Sequence, residues 1–159
     1  MKFRFFLCLL FLPFTFIVHG KNLQGFDKAA FYAALSSETL DVVNKQIAAV
    51  KVSVIAEKEA YEGALLMKKA GLMTSAKEKL SFFKSGRAKL ESSILKDSNN
   101  TEYRFLRVII QEHAPRIVKY RSQLEEDSRL IHTNFKTLPQ FLQQVINDYS
   151  KKSAVIKTP

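Results

Sequence analysis

The sequence predicts an all-α fold: a single domain of about six to seven antiparallel helices, packed as a bundle or a short array. Three observations predict it. Glycine and proline number five and four in 159 residues, too few for the turns of a β sandwich. Apolar residues recur at spacings of three and four rather than two. Helix-start signals return roughly every 20 to 25 residues along the chain.

The first helix is short and alanine-rich, from Asp27 to Leu35, with Phe26, Ala30 and Tyr32 as its packing residues. In the second, Leu40, Val43, Ile47, Val50 and Val54 lay one apolar stripe against a face of Asp41, Lys45 and Lys51. A third runs from about Val54 to Ala70 and stops at Gly71, because glycine takes the left-handed conformation that other residues resist.

Ser75-Ala76-Lys77-Glu78 is a capping box that opens the fourth helix, whose seam is Leu80, Phe83, Leu90 and Ile94. After the polar turn Asp97 to Thr101, Asn99 with Glu102 caps a fifth helix that reaches His113. Its Tyr103, Phe105, Leu106, Val108, Ile109 and Ile110 surround most of its circumference, which predicts a central position. Pro115 suits the first turn of a sixth helix with Ile117, Tyr120, Leu124, Ile131 and Phe135 on its apolar face. A cap-like Thr137-Leu138-Pro139-Gln140 opens the last helix, which buries Phe141, Leu142, Val145, Ile146 and Tyr149.

Ahead of these helices, residues 1–20 have the pattern of a cleaved secretory signal peptide. Lys2 and Arg4 form a basic start, Phe5 to Val18 an apolar run, and Val18 and Gly20 place the cut before Lys21. The run is shorter than the ~20 residues needed to cross a bilayer, so no transmembrane helix is expected after cleavage. Cys8 is the only cysteine and sits inside the run, whereas lipid attachment needs one at the cleavage site. Residues 21–150 are then one helical domain, and 151–159 a flexible basic tail. The expected location is outside the cytoplasm, periplasmic or secreted. Loss of Lys2 and Arg4 lowers the formal charge from +10 to +8, which favours anionic partners without naming one.

The segment Gly63 to Leu106 resembles a degenerate tetratricopeptide unit, a helical hairpin followed by the first helix of the next unit. In that pattern Gly63 is the small residue where two helices touch, Leu66 the large residue one turn on, and Gly71 the end of the first helix. Gly86, Leu90 and Ser93 supply the small, large, small sequence of the second helix. Asp97-Ser98-Asn99-Asn100 is similar to the family's acidic, proline, asparagine turn, with Ser98 where proline is usual. The fourth helix is longer than the roughly 34-residue unit provides for, and no second copy follows. A convergent helical hairpin accounts for the same residues. The chain as a whole, mostly through AYEGALLMKKAG and EYRFLR, is similar to small exported all-helical bacterial proteins. The tetratricopeptide resemblance implies a module that binds a peptide or protein in a helical groove, with no catalysis.

Chemistry-bearing residues are sparse. His113 and His132 lie in no metal-ligand spacing, and His113 suits the end of its helix, where a cation meets the helix dipole. Ser128 and His132 share a helical face, but no nucleophile elbow, glycine-rich loop or orienting acid accompanies them. Glu125-Glu126-Asp127 point in different directions on a helix and read as a solvated acidic face. Glu57, Glu59 and Glu62 read as surface charges beside Lys58, Lys68 and Lys69. No catalytic, metal or cofactor site is assigned.

Arg104, Arg107, Arg116, Lys119 and Arg121 form a candidate basic patch if the fifth and sixth helices make a hairpin at Ala114-Pro115. Their interleaving with aromatics is what an amphipathic helix produces, so nucleic acid is not the expected partner. The leading expectation is an exported, non-enzymatic scaffold that binds another envelope or secreted protein. The alternative is a basic coat for anionic polysaccharide, glycolipid or lipid headgroups, and a third is an enzyme with an unrecognised site, for which Ser128, His132 and the carboxylates are the only candidates.

Overall fold

In the computed structural model, which describes residues 25–157, the chain forms seven α-helices and two 3-10 turns, with no strand among the described residues. The candidate leader 1–20 and its cleavage site lie outside these residues.

Helix α1 (Lys28–Ser36) starts where the Asp27 carboxylate accepts a hydrogen bond from Ala30 N–H at 2.9 Å. Its fully buried Phe31 stacks on Tyr61 at 4.0 Å between ring centroids, and Phe26 leans on both rings. In α2 (Leu40–Val52), Val43, Ile47 and Val50 are buried as the stripe predicts. The stripe ends there: Val54 is 97% exposed, in the connection to α3.

Helix α3 (Lys58–Leu72) is buried without interruption from Ala60 to Met67. It runs through Gly71, which has no positive φ. The helix ends at the extended Met73 instead; the left-handed stop expected at Gly71 is not used. Helix α4 (Ala76–Lys96) begins at Ser75, whose hydroxyl accepts from Glu78 N–H. It runs antiparallel to α3, since Glu59 meets Lys89, Gly63 meets Gly86, and Lys69 meets Phe82. A methyl group added at Gly63 would lie 2.7 Å from the Gly86 carbonyl oxygen. The two backbones therefore touch where neither residue has a side chain.

Close approach of that kind makes α3 the centre of the fold, touching α1, α2, α4 and α5. The sequence placed the fifth helix there. Helix α5 (Thr101–His113) is indeed buried along Tyr103, Phe105, Leu106, Val108 and Ile110. The small residues Ala60, Gly63 and Ala64, however, let neighbours approach α3 more closely than large apolar residues allow. The cap of α5 is Asn100, which accepts from Tyr103 N–H at 3.1 Å, rather than Asn99.

The largest departure follows α5. No helix starts at Pro115. A 3-10 turn spans Arg116–Val118, Lys119 takes a left-handed φ of 47°, and α6 (Leu124–Asn134) begins later. Ile117, expected on an apolar face, is 87% exposed. The cause is Tyr120: buried and bonded to Glu91 of α4, it pulls the connection across the bundle and interrupts the helical path. Helix α6 then runs back along α5, with Gln123 against Gln111 and Asn134 against Thr101. After a second 3-10 turn (Phe135–Thr137), α7 (Gln140–Ser150) buries Leu142 and Ile146.

The segment beyond α7 is docked through residue 157 rather than frayed. Ser153 Oγ and Ala154 N–H donate to the Glu112 carboxylate, at 2.8 and 2.6 Å, and Ile156 enters the core at 2% exposure.

Candidate binding surface

Two of the five predicted patch residues are turned inward. Arg107 is buried, donating through Nε and Nη2 to Asp127 and through Nη1 to Glu91. Arg104 bonds Asp127 at 2.9 Å and the Ser98 carbonyl at 2.9 Å, with Glu126 at 3.3 Å. Asp127 has no exposed surface, so the acidic triplet Glu125-Glu126-Asp127 is not a uniformly solvated face. The pattern rule could not find this, because it reads helical faces and not the partner helix that Asp127 points to.

The other three, Arg116, Lys119 and Arg121, are exposed on the α5–α6 connection. Tyr120 fixes that connection to α4. Its hydroxyl donates to Glu91, its ring meets Phe83 edge-on at 5.7 Å, and the Arg87 guanidinium lies over it at 4.6 Å. Lys119 and Arg121 flank it in the chain, and Arg87, which covers its ring, ends an α4 stripe of Lys77, Leu80, Lys84 and Arg87. Residues spaced by three and four share one side of a helix, and all four are exposed. Among the described residues, none of these cations has a carboxylate within ion-pair distance. Glu91, which is close at hand, is already held by Tyr120 and Arg107.

The carboxylates explain why this surface is so basic. Glu102 of α5 accepts from Tyr32 and Tyr61 and pairs with Lys28. Glu62 is buried between Lys51 and Lys89, not a surface charge as its sequence neighbours suggest. Glu57 pairs with Lys28 and Glu59 with Lys89. Glu91, Glu112 and Asp127 are likewise spent on contacts between helices. These acids are tied into contacts between helices, so they are not free to neutralise the cations of α4 and of the α5–α6 connection. Burial works against Lys28, yet the Glu102 and Glu57 carboxylates leave its pKa raised.

The remaining candidates have structural partners. Ser128 Oγ donates to the Val155 carbonyl at 3.1 Å, and His132 Nδ1 lies 3.4 Å from the Lys157 carbonyl oxygen. Both side chains face the docked C-terminal segment across an open depression of about 410 Å³. His113 Nδ1 is 2.8 Å from the Ile109 carbonyl oxygen, closing the last turn of α5. Among the described residues, no group of three His, Cys, Asp or Glu is placed to hold a metal ion, and no helix is long and apolar enough to cross a membrane. No model of a known protein family, no curated protein and no solved structure matches the chain.

Proposed function

We propose that this chain is an exported, non-enzymatic helical module that docks onto an anionic partner in the cell envelope or outside the cell. One observation carries the reading: the exposed Arg87 of α4, without a carboxylate partner, lies over the buried Tyr120, which Lys119 and Arg121 flank in the chain, also exposed and without one. Opposing carboxylates or phosphates would complete charges that the protein leaves open.

The test compares two variants of equal net charge. One replaces Lys84, Arg87 and Lys119 by Gln; the other replaces Lys45, Lys136 and Lys152, which are exposed elsewhere. Retention on an immobilised polyanion, read as the eluting salt concentration, falls in the first variant and holds in the second. Equal falls in both would reduce the patch to net charge and overturn the reading.

A second reading, binding of another envelope or secreted protein by a tetratricopeptide-like hairpin, draws support from the close crossing of α3 and α4 at Gly63 and Gly86. Val52 at the end of α2 and Val54 on the α2–α3 connection, 83% and 97% exposed, offer it apolar contact. Capture of one protein that survives high salt would favour this reading over the electrostatic one, since screening weakens exposed charge pairs beyond ~8 Å.

A further inference from the structure

We infer that the face built by Lys77, Leu80, Lys84 and Arg87 of α4 and by the Arg116–Arg121 connection docks on anionic phospholipid headgroups, with Ile117 inserted between them. The inference rests on the anion-docking reading above and names its partner.

Charge complementarity is the first ground. The α4 stripe supplies Lys77, Lys84 and Arg87, and the connection adds Arg116, Lys119 and Arg121, all exposed. A layer of phosphodiester headgroups presents the matching charge over a wide area, and each Lys or Arg near such a surface strengthens binding by roughly fivefold.

Apolar tips are the second. Ile117 is 87% exposed and Leu80 51%, each with cations as neighbours in the chain or on the helix stripe. A soluble acidic polymer gives these side chains nothing to enter, whereas the boundary between headgroups and acyl chains does. Apolar tips ringed by bases therefore favour a lipid surface over a polysaccharide or an acidic peptide.

Shape is the third. The tip is preformed: Val118 N–H bonds the Pro115 carbonyl and Lys119 N–H the Arg116 carbonyl, both at 3.1 Å, and Lys119 holds its left-handed turn. Tyr120 pins the base of the tip to α4. Insertion then costs little ordering of the chain. The depressions beside Ser128, Arg129 and Val155 do not include this face, and a headgroup layer requires no groove.

The experiment uses the protein as its producing cells deliver it, sedimented with vesicles of phosphatidylglycerol and phosphatidylcholine in equal parts and with phosphatidylcholine alone. The parent binds the first and not the second. Lys84→Gln, Arg87→Gln and Lys119→Gln each weaken binding about fivefold, and Ile117→Ser about tenfold. Lys45→Gln leaves it unchanged. Because the chain has no tryptophan, Ile117→Trp reports on the tip alone, and its emission moves to the blue on the anionic vesicles.

Equal binding by Ile117→Ser and the parent, with no blue shift, would overturn insertion. Patch-dependent binding to soluble polyglutamate or dextran sulfate, with none to vesicles, would overturn the lipid partner and keep the anion-docking reading. Absence of patch-dependent binding to any of these would overturn both.

Discussion

Arg107 and Asp127 form a bidentate ion pair across α5 and α6, Nε to Oδ2 at 2.7 Å and Nη2 to Oδ1 at 2.8 Å. Both residues are buried. Burial opposes the guanidinium charge, yet the Asp127 carboxylate, aided by Glu91, leaves the Arg107 pKa raised. Asp127→Asn keeps the shape and removes one of the two carboxylates that face Arg107, Glu91 being the other, so it costs about 3 kcal/mol. Replacing both partners, Arg107→Met with Asp127→Leu, costs much less, because no buried charge is left alone. Urea midpoints of the two variants decide the matter: equal midpoints would mean that the pair is not a coupled buried unit.

The Gly63 and Gly86 contact makes a sharper steric prediction. A Cβ at Gly86 would lie 2.5 Å from the Gly63 carbonyl oxygen and one at Gly63 2.8 Å from Leu90 N. These are backbone atoms and cannot swing aside, so Gly63→Ala and Gly86→Ala each cost about 1–3 kcal/mol through separation of α3 from α4. Gly71→Ala is the internal control. It lies in a helix with nothing within 4 Å of the added methyl, and alanine there stabilises by up to about 1 kcal/mol. Thermal midpoints should therefore move in opposite directions.

Periodicity made the helical class and most helix faces legible, because burial of one stripe is a property of a helix by itself. The Ser75 cap and the buried Leu90 and Ile94 are examples. What escaped depends on contacts distant in sequence. Tyr120 is apolar enough to join a helical face, but its hydroxyl finds Glu91, 29 positions away, and the helix breaks around it. Ser153 and Ile156 look like a polar, basic tail until Glu112 is seen to accept from Ser153. Of the five cations grouped from the sequence, Arg116, Lys119 and Arg121 are exposed, as charged residues of a connection are. Withdrawal of Arg104 and Arg107 into contacts with Asp127 follows only from the packing of α5 against α6.

All five tyrosines, Tyr32, Tyr61, Tyr103, Tyr120 and Tyr149, have raised pKa values, burial being the largest cause in each. Carboxylates add to it, Glu102 at Tyr32 and Tyr61, Glu91 at Tyr120, and Glu112 at Tyr149. A group whose folded pKa exceeds its unfolded one stabilises the fold fully below the unfolded value, here 10.0, and that contribution is lost as pH rises above it. Phenolate absorbance should stay flat through pH 10 in the native protein and appear together with the loss of helical circular dichroism. Smooth titration near pH 10 with the helices intact would contradict the buried tyrosine network.

Glu112 works at the acid end. Burial alone would raise its pKa, but hydrogen bonds from Ser153 Oγ, Tyr149 Oη and Ala154 N–H outweigh burial and hold it below 4.5, the ordinary glutamate value. A depressed folded pKa contributes stability that is complete above the unfolded value and disappears as pH falls through the folded one. Residues 153–156 should therefore remain docked in mild acid and detach only when pH drops below the usual carboxylate range. Amide hydrogen exchange of this segment reads the step directly. Glu112→Ala removes the acceptor, costs about 2 kcal/mol of local stability, and accelerates exchange there by an order of magnitude or more at neutral pH. It leaves α3 unchanged, because Glu112 bonds α7 and the segment beyond it rather than the α3–α4 hairpin. Equal exchange in Glu112→Ala and parent would show that Ile156 alone, buried at 2% exposure, keeps the segment in place.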